Sequence, residues 1–270
     1  MLKGASATLL LTLAARAAAS RLTPEVGFDD PLAQAVAARS PYALAAYAQD
    51  EGFVRGVALR SAIMDAMARD FFRRHPQGQV VSLGAGLCSR RHRLQAQGAI
   101  ATTQTWLHVD LPPAMALRQS LMPPEQGESI LTASLLDESA WLPGIAPDRP
   151  VLAIAEGVCP YLPEHDLKAW MARLCLAVQP CAVPWEWVLD FVDPALAALP
   201  TQVGDMQLPL QSGFASVDEL FAGAPSRPIT LALHHPFADF SPGHARFEAE
   251  MQQRTGRPLY TIAHLAWPGA

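Results

Sequence analysis

The sequence predicts an α/β fold in which helices cover both faces of a largely parallel β-sheet. From about residue 76 onward, short runs rich in β-branched and aromatic residues alternate with helical stretches, which is the pattern of βαβ units. Half of the 270 residues are apolar and 17% are charged, so the chain can bury a sizeable core. We therefore expect a helical N-terminal cap region over residues 1–75 and a sheet domain, one compact unit, over residues 76–270.

The first 74 residues carry the signals of several helices. Pro31 and Pro41 interrupt an Ala-rich stretch over residues 6–74, and Asp29 and Asp30 stand where capping residues are expected before the second segment. Apolar residues recur along the opening segment at the spacing of an amphipathic helix: Leu9, Leu10, Leu13, Ala14 and Ala17. The N-terminal region is therefore predicted to be all helical.

The opening segment also resembles a secretory signal peptide, because Lys3 is followed by an apolar stretch that ends in small residues. Arg16 interrupts that stretch, so we expect a cytoplasmic helix, with export as the alternative. No uncharged apolar run reaches the ~20 residues that a membrane-spanning helix needs. The sequence therefore gives no reason to expect a membrane partner.

Seven runs are predicted to form strands. They cover residues 79–83, 105–109, 129–133, 151–155, 183–189, 229–234 and 260–266. Helices are predicted between them, over residues 89–97, 112–121, 164–177 and 243–255. The first four strands fit a parallel sheet, whereas periodicity alone does not fix the direction of the last three.

Charge and cysteine content narrow the classes of partner. The formal net charge is −5 and no Lys/Arg cluster is present, so nucleic acid is not expected as a partner and a small-molecule substrate is favoured. The sequence has four cysteines: Cys88, Cys159, Cys175 and Cys181. They are too widely spaced to form a CxxC metal-binding motif and too few to form a disulfide scaffold. We expect them to be reduced thiols in a cytoplasmic protein, and the oligomeric state is left open.

A glycine-rich loop follows the first predicted strand. Gly84 and Gly86 allow the backbone to turn tightly and to approach a nucleotide-like cofactor at the carboxyl edge of the sheet. Ser89 stands where the dinucleotide fingerprint has its third glycine, so an NAD-dependent oxidoreductase is kept only as an alternative. Asp110 ends the second strand, where a carboxylate can accept hydrogen bonds from ribose hydroxyls; its alternative role is to cap the helix that follows.

Three segments carry a more specific resemblance. In chain order they are VVSLGAGLCSRRHRL, HVDLPPAMALRQSLMP and AIAEGVCPYLPEHDL. Together they resemble the leucine carboxyl methyltransferase family, which includes tetracenomycin-type polyketide O-methyltransferases. The resemblance extends upstream through SATLLLTLAARA and DDPLA, and the segment from Arg60 to Asp65 is similar to the family's Arg-Thr-x-x-x-Asp. It covers roughly residues 6–176.

The resemblance implies a class I methyltransferase that uses S-adenosylmethionine. The implied fold is a Rossmann-like, seven-stranded, mostly parallel sheet whose last strand is antiparallel. By position, Arg60 would bind the methionine carboxylate, Gly84 and Gly86 would line the cofactor, Asp110 would hold the ribose and Glu156 would face the amino-acid end. A guanidinium suits a carboxylate and a carboxylate suits an ammonium, although Arg60 could instead be a solvated helix charge.

Two positions depart from the family pattern. Cys88 stands where the family's loop has an aspartate. Ser134 and Leu135 stand where the family has Asp-Leu, whose carboxylate addresses the adenine amino group. A hydroxyl accepts a weaker hydrogen bond than a carboxylate does, so we expect Ser134 and Leu135 to contact the adenine less strongly. A methyltransferase-like protein that binds a partner without catalysis is therefore a further alternative.

Methyl transfer requires that donor and acceptor be held close, aligned and dry, and needs no covalent nucleophile. A carboxyl acceptor needs no base, whereas a phenol benefits from one. Three histidines of the C-terminal third are candidate bases: His234, His235 and His244. With Asp239 they match no standard zinc signature, so no metal is predicted. The predicted function is O-methylation of a carboxyl or phenolic oxygen on a small secondary metabolite.

Overall fold

The protein folds around a seven-stranded sheet, seen in a computed structural model that describes residues 5–42, 44, 48–203 and 206–267. The strands are β1 (Gln79–Leu83), β2 (Trp106–Asp110), β3 (Glu128–Thr132), β4 (Val151–Ala155), β5 (Trp185–Val192), β6 (Thr201–Val203), β7 (Met206–Leu208), β8 (Ile229–His234) and β9 (Tyr260–Trp267). β6 and β7 form a separate antiparallel hairpin. The other seven strands form one sheet in the order β3-β2-β1-β4-β5-β9-β8.

The direction of the strands confirms the predicted topology. β1 to β5 are parallel to their neighbours, while β9 is inserted between β5 and β8 and runs antiparallel to both. All seven predicted strands are present. β5 continues to Val192, three residues beyond its predicted end, because its last residues pair with the start of β9, as in Val192 with Tyr260. Pairing with a distant segment cannot be read from local periodicity.

The N-terminal region is helical, as predicted, and its described residues form three α-helices before the sheet: α1 (Ala5–Leu22), α2 (Pro31–Arg39) and α3 (Glu51–Arg74). Asp30 is the predicted cap of α2, and its Oδ1 accepts a hydrogen bond from the Ala33 backbone N at 3.0 Å. Pro31 occupies the first turn of α2, where its missing N–H costs nothing. None of the described helices is long and apolar enough to cross a membrane.

The remaining helices alternate with the strands. They are α4 (Arg90–Ala96), α5 (Pro112–Leu121), α6 (Glu138–Trp141), α7 (Glu164–Val178), α8 (Pro194–Ala197), α9 (Val217–Leu220) and α10 (Pro242–Thr255). The four predicted helices correspond to α4, α5, α7 and α10, with ends that differ by at most one residue. The sequence did not predict α6, α8 and α9, because four residues are too few to show a helical period.

Each face of the sheet packs a separate apolar cluster. Along β5, Trp187 joins the cluster that contains α7, whereas Val188 joins the cluster under α3. This alternation follows from the two-residue period of a strand, and it explains why β5 is apolar at all positions except Glu186 and Asp190. The rings of Trp170 and Trp187 meet edge to face, with centroids 5.9 Å apart.

A third apolar cluster joins α1 and α2 to the first half of α3 and to the loop after β1. Leu87 in that loop is buried among residues of the N-terminal helices. The other end of α3 belongs to the sheet core through Phe71 and Phe72. The helical cap region therefore packs directly over the carboxyl edge of β1, and the boundary between cap and sheet domain at residue 75 stays a prediction.

Candidate active site

The loop after β1 requires glycine at two positions. Gly84 has φ +64° and Gly86 has φ +47°, which L side chains rarely adopt. A Cβ on Gly84 would lie 2.5 Å from Val158 Cγ2, and a Cβ on Gly86 would lie 2.6 Å from Leu9 Cδ2. Because neither residue carries a side chain, the two glycines leave an open space between this loop, α1 and the loop after β4.

Asp110 lies beside this open space at the end of β2. Its Oδ2 accepts a hydrogen bond from Gly86 N at 2.8 Å, and its Oδ1 accepts one from Leu111 N at 2.7 Å. Partial burial raises the pKa of Asp110, while the two backbone N–H groups oppose that rise. α5 has no side-chain cap, so the structure gives no support to the capping role. Each oxygen keeps a further lone pair that a ribose hydroxyl could use.

Arg60 and Glu156 form an ion pair across the same cavity. Glu156 Oε1 accepts hydrogen bonds from Arg60 Nε at 2.9 Å and Ser61 Oγ at 3.0 Å, and its Oε2 accepts one from Arg90 Nη2 at 2.7 Å. Burial alone would raise the pKa of Glu156, but the guanidinium groups of Arg90 and Arg60 hold it well below its ordinary value. The side chain of Arg60 is only 17% exposed, so Arg60 is not a solvated helix charge.

A buried charge network supports this pair, and the sequence did not predict most of it. Asp65 Oδ1 accepts a hydrogen bond from Arg90 Nε at 2.7 Å, and Asp65 Oδ2 accepts one from Arg93 Nε at 2.7 Å. Arg93 Nη1 also donates to Asp30 Oδ2 at 2.8 Å. The sequence feature that could have indicated this network is the presence of three arginines on the short helix after the glycine loop. Each buried charge is compensated, as burial demands.

A cavity lies between α1, the glycine loop and the loop after β4, and we call it the cofactor cavity. Its lining includes Thr12, Arg16, Arg60, Gly84, Gly86, Cys88, Glu156, Gly157 and Tyr161. Asp110 lies just behind the Gly86 backbone. A glycine-lined space, a carboxylate at the end of β2 and a facing arginine and glutamate fit the ribose, carboxylate and ammonium of S-adenosylmethionine.

The predicted adenine contacts lie outside the lining of this cavity. Ser134 Oγ accepts a hydrogen bond from Leu136 N at 3.2 Å, and the Leu135 carbonyl accepts one from Trp141 Nε1 at 3.0 Å. Their role therefore stays a prediction. Cys88, the other departure from the family pattern, lines the cofactor cavity as a free thiol with Arg90 Nη1 3.9 Å from its Sγ.

A second cavity of about 500 Å³ adjoins the first, and we call it the acceptor cleft. Its apolar walls include Pro160, Val192, Leu196, Leu210, Phe237, Phe240 and Phe247, and its polar lining includes Arg60, Tyr161, Asp190, Ser241, His244 and Tyr260. Arg60, Gly157 and Tyr161 line both cavities. A molecule in the cleft would therefore meet the cofactor cavity at these three residues.

Asp190 and Tyr260 occupy this junction, and the sequence did not predict either of them. Asp190 Oδ1 accepts a hydrogen bond from Gly157 N at 2.7 Å, Tyr260 donates its hydroxyl proton to Asp190 Oδ2, and Arg60 Nη1 lies 3.6 Å from that oxygen. Burial raises the pKa of Asp190, against the opposing effect of Arg60. The available signal was the presence of two acids, Glu186 and Asp190, inside the otherwise apolar sequence of β5.

The three candidate histidines lie in different places. His244 lines the acceptor cleft, with its Nδ1 2.7 Å from Ser241 Oγ, and burial lowers its pKa. His234 is exposed on β8, and His235 is exposed with its Nδ1 3.2 Å from Thr261 Oγ1. The structure therefore brings only His244 to the cleft. Within the described part of the chain, no three His, Cys, Asp or Glu side chains are arranged to hold a metal ion.

Comparison with solved structures supports the assignment of the fold. A candidate methyltransferase from Thermobifida fusca YX superimposes with a TM-score of 0.52 at 14% sequence identity, over 94% of each chain. The chain therefore has the fold of this methyltransferase.

Sequence comparison identifies the family. The family model for leucine carboxyl methyltransferase matches residues 9–175, and the chain belongs to this family. A tetracenomycin polyketide synthesis O-methyltransferase of Streptomyces glaucescens is 33% identical over 190 residues, which cover 70% of this chain and 68% of that protein. An S-adenosyl-L-methionine-dependent methyltransferase of Gibberella zeae is 31% identical over 186 residues, 64% of this chain and 61% of that protein.

These findings confirm the family, the enzyme class and the cofactor that the motifs predicted. The alternative of an NAD-dependent oxidoreductase is accordingly set aside, and so is that of a non-catalytic binding protein. The roles of individual residues at the site stay predictions, although the structure brings Arg60, Gly84, Gly86 and Glu156 to one cavity, with Asp110 beside it.

Proposed function

We propose that this enzyme methylates a carboxyl or phenolic oxygen of a small, largely apolar metabolite in the cytoplasm. The observation that carries the proposal is the meeting of an apolar cleft with the cofactor cavity at Arg60, Gly157 and Tyr161. An acceptor with an apolar body and one oxygen at its end would fill the cleft and place that oxygen at the junction. Holding the two reactants in line is the main contribution a protein makes to this reaction.

The proposed roles on the cofactor side follow from the chemistry of each side chain. Asp110 would accept hydrogen bonds from the ribose hydroxyls, Arg60 would bind the carboxylate and Glu156 would bind the ammonium. Gly84 and Gly86 would let the backbone approach the nucleoside closely. When bound, S-adenosylmethionine supplies an activated methyl group on a sulfonium. The buried surroundings of Arg60 and Glu156 would exclude water from that group.

The size and the walls of the cleft support a small organic acceptor. A volume of about 500 Å³ lies within the usual range for small-molecule sites, and most of the wall is apolar. The relative from Streptomyces glaucescens is named for an O-methylation in polyketide synthesis, and an acceptor of that kind would suit these walls. A net charge of −5 argues against nucleic acid as the substrate, and the three arginines of α4 are buried and so cannot contact a phosphate backbone.

The four cysteines support a cytoplasmic site of action. All four are free thiols, and Cys159 and Cys175 are buried. A secreted protein more often pairs its cysteines as disulfides. α1 also packs into the third apolar cluster through Leu10 and Leu13, which supports a role for this segment in the folded protein.

A labelling experiment tests the proposal. Purified enzyme is incubated with methyl-labelled S-adenosylmethionine and, separately, with a pool of small aromatic metabolites and a pool of proteins. We expect label to enter the metabolite pool as a methyl ester or methyl ether. Label that appears only in the protein fraction, or binding of the cofactor with transfer to neither pool, would overturn the proposal.

A further inference from the structure

One face of α3 runs along the acceptor cleft. Gly52, Gly56 and Arg60 are spaced by four residues, so they lie on the same side of the helix, one turn above the other. Arg60 lines the cleft at its junction with the cofactor cavity. At the other end of this face, a Cβ on Gly52 would lie 3.4 Å from Cε1 of His244, which also lines the cleft. Gly56 lies between these two points.

Gly56 is in direct contact with Phe240, whose ring forms part of the cleft wall. A Cβ on Gly56 would lie 2.9 Å from Phe240 Cδ2 and 3.0 Å from Phe240 Cε2, well inside the roughly 3.5 to 4.0 Å at which carbon atoms pack. Gly56 is buried in the middle of α3 and has a negative φ, so its backbone does not need glycine. Alanine is favoured over glycine in a helix, and the close approach of the Phe240 ring therefore explains the glycine.

The Phe240 ring is surrounded by other aromatic rings. Its centroid lies 5.4 Å from that of Phe237, 5.6 Å from that of His244 and 6.0 Å from that of Tyr260. The ring is nevertheless only half-buried, because it also faces the acceptor cleft. Packed interiors have little spare volume, so a group that pushed on the ring from α3 would displace it into the cleft.

We propose that Gly56 sets the width of the acceptor that this enzyme admits, because its missing side chain lets the Phe240 ring rest against α3 instead of standing in the cleft. This inference rests on the proposed function and concerns the body of the acceptor, whether the reacting oxygen belongs to a carboxyl or to a phenol. Gly56 lines neither the cofactor cavity nor the acceptor cleft. It is therefore a specificity-determining residue that acts through Phe240, and the helical N-terminal region contributes to the choice of acceptor.

A binding experiment with aromatic probes of two widths tests the inference. 2-Naphthol and 2-naphthoic acid have two fused rings, whereas 2-anthrol and anthracene-2-carboxylic acid have three. Each probe is titrated into the enzyme saturated with S-adenosylhomocysteine, and its fluorescence is followed. We expect wild type to bind the three-ring phenol and the three-ring acid at least about threefold more tightly than their two-ring counterparts, because the extra ring buries more apolar surface. Gly56→Ala should reduce this preference about five- to tenfold.

Three further variants identify the cause of that change. Gly52→Ala makes the same substitution one turn earlier on α3, away from Phe240, and should keep the preference within about twofold of wild type. Phe240→Ala removes the ring that the new methyl group would displace, so Gly56→Ala should change the preference by less than about twofold in that background. Phe240→Trp enlarges the wall itself, should lower the preference as Gly56→Ala does, and serves if Gly56→Ala does not fold.

Four outcomes would overturn the inference. The first is that Gly56→Ala, or Phe240→Trp in its place, keeps the wild-type preference. The second is that Gly56→Ala has its full effect in the Phe240→Ala background, and the third is that Gly52→Ala has the same effect as Gly56→Ala. The fourth is that wild type binds none of the probes or binds both widths equally. Failure to bind S-adenosylhomocysteine would instead contradict the proposed function.

Discussion

The cofactor cavity and the acceptor cleft meet at three residues but are built in different ways. The cofactor cavity is surrounded by charged side chains with fixed partners, such as Arg60 with Glu156 and Arg90 with Asp65. The acceptor cleft is mostly apolar and draws its walls from separate segments of the C-terminal third, such as Leu196 and Phe240. Directional contacts restrict the first region to one ligand shape, whereas apolar walls leave the second free to vary.

The largest expected effect comes from breaking the charge network behind the cofactor cavity. Asp65→Ala would leave Arg90 and Arg93 buried without their shared carboxylate. Removal of one partner from a buried ion pair destabilises a protein by about 3 to 5 kcal/mol. We expect the free energy of unfolding in urea to fall by that amount. A loss below about 1 kcal/mol would show that the network is dispensable.

Loss of the Asp110 carboxylate should weaken cofactor binding without a comparable loss of stability. A hydrogen bond to a charged group contributes about 1.5 to 3 kcal/mol, so Asp110→Ala should reduce affinity for S-adenosylmethionine roughly 10- to 150-fold. Calorimetric titration measures this change. Asp148→Ala, which removes an exposed carboxylate elsewhere, is the matched control. An unchanged titration for Asp110→Ala would place the ribose somewhere else.

Lowering the pH should destabilise the protein at the cofactor cavity because Glu156 becomes protonated. The folded-state pKa of Glu156 lies well below its ordinary value, so its contribution to stability is fully present above about pH 4.5 and is lost as the pH falls toward the folded pKa. In Glu156→Gln, the free energy of unfolding should therefore decrease less steeply between pH 5 and pH 3 than in wild type. Parallel pH profiles would contradict the ion pairing with Arg60 and Arg90.

A smaller effect is expected when the charge of Arg60 is kept and only its shape changes. Arg60→Lys keeps the positive charge. A lysine ammonium, however, lacks the planar guanidinium that could bind Glu156 and a ligand carboxylate at the same time. We expect roughly a tenfold loss of affinity for S-adenosylmethionine. Arg55→Lys, on the same helix but paired at the surface with Glu25, should be neutral. Equal titrations for the two variants would remove Arg60 from the cofactor site.

The smallest effect should come from a cleft wall. Leu196→Ala enlarges the acceptor cleft, so 2-naphthol should bind about two- to fivefold more weakly because apolar contact area is lost. Affinity for S-adenosylhomocysteine should remain within about twofold, since Leu196 does not line the cofactor cavity. A larger loss of cofactor affinity than of probe affinity would show that the two regions are not separable.

The two regions also differ in how far the sequence could predict them. Gly84, Gly86 and Asp110 lie next to strands with strong local signals, and the ends of parallel strands meet at one edge by geometry alone. Arg60 and Glu156 were named only through the family resemblance. Asp190 and Tyr260 were missed because they come from β5 and β9, and only the antiparallel pairing of those strands brings them together.

By itself, the sequence determined the strands of the main sheet, the longer helices, the capping of α2 by Asp30 and the motifs of the cofactor loop. These depend on periodicity and on contacts between residues close in the chain. The tertiary structure alone decided that Arg60 is held by Glu156 and Asp190 together, and that His244 lies in the cleft while His234 does not. Such contacts join residues far apart in the chain, and their positions depend on how strands and helices pack rather than on any local pattern.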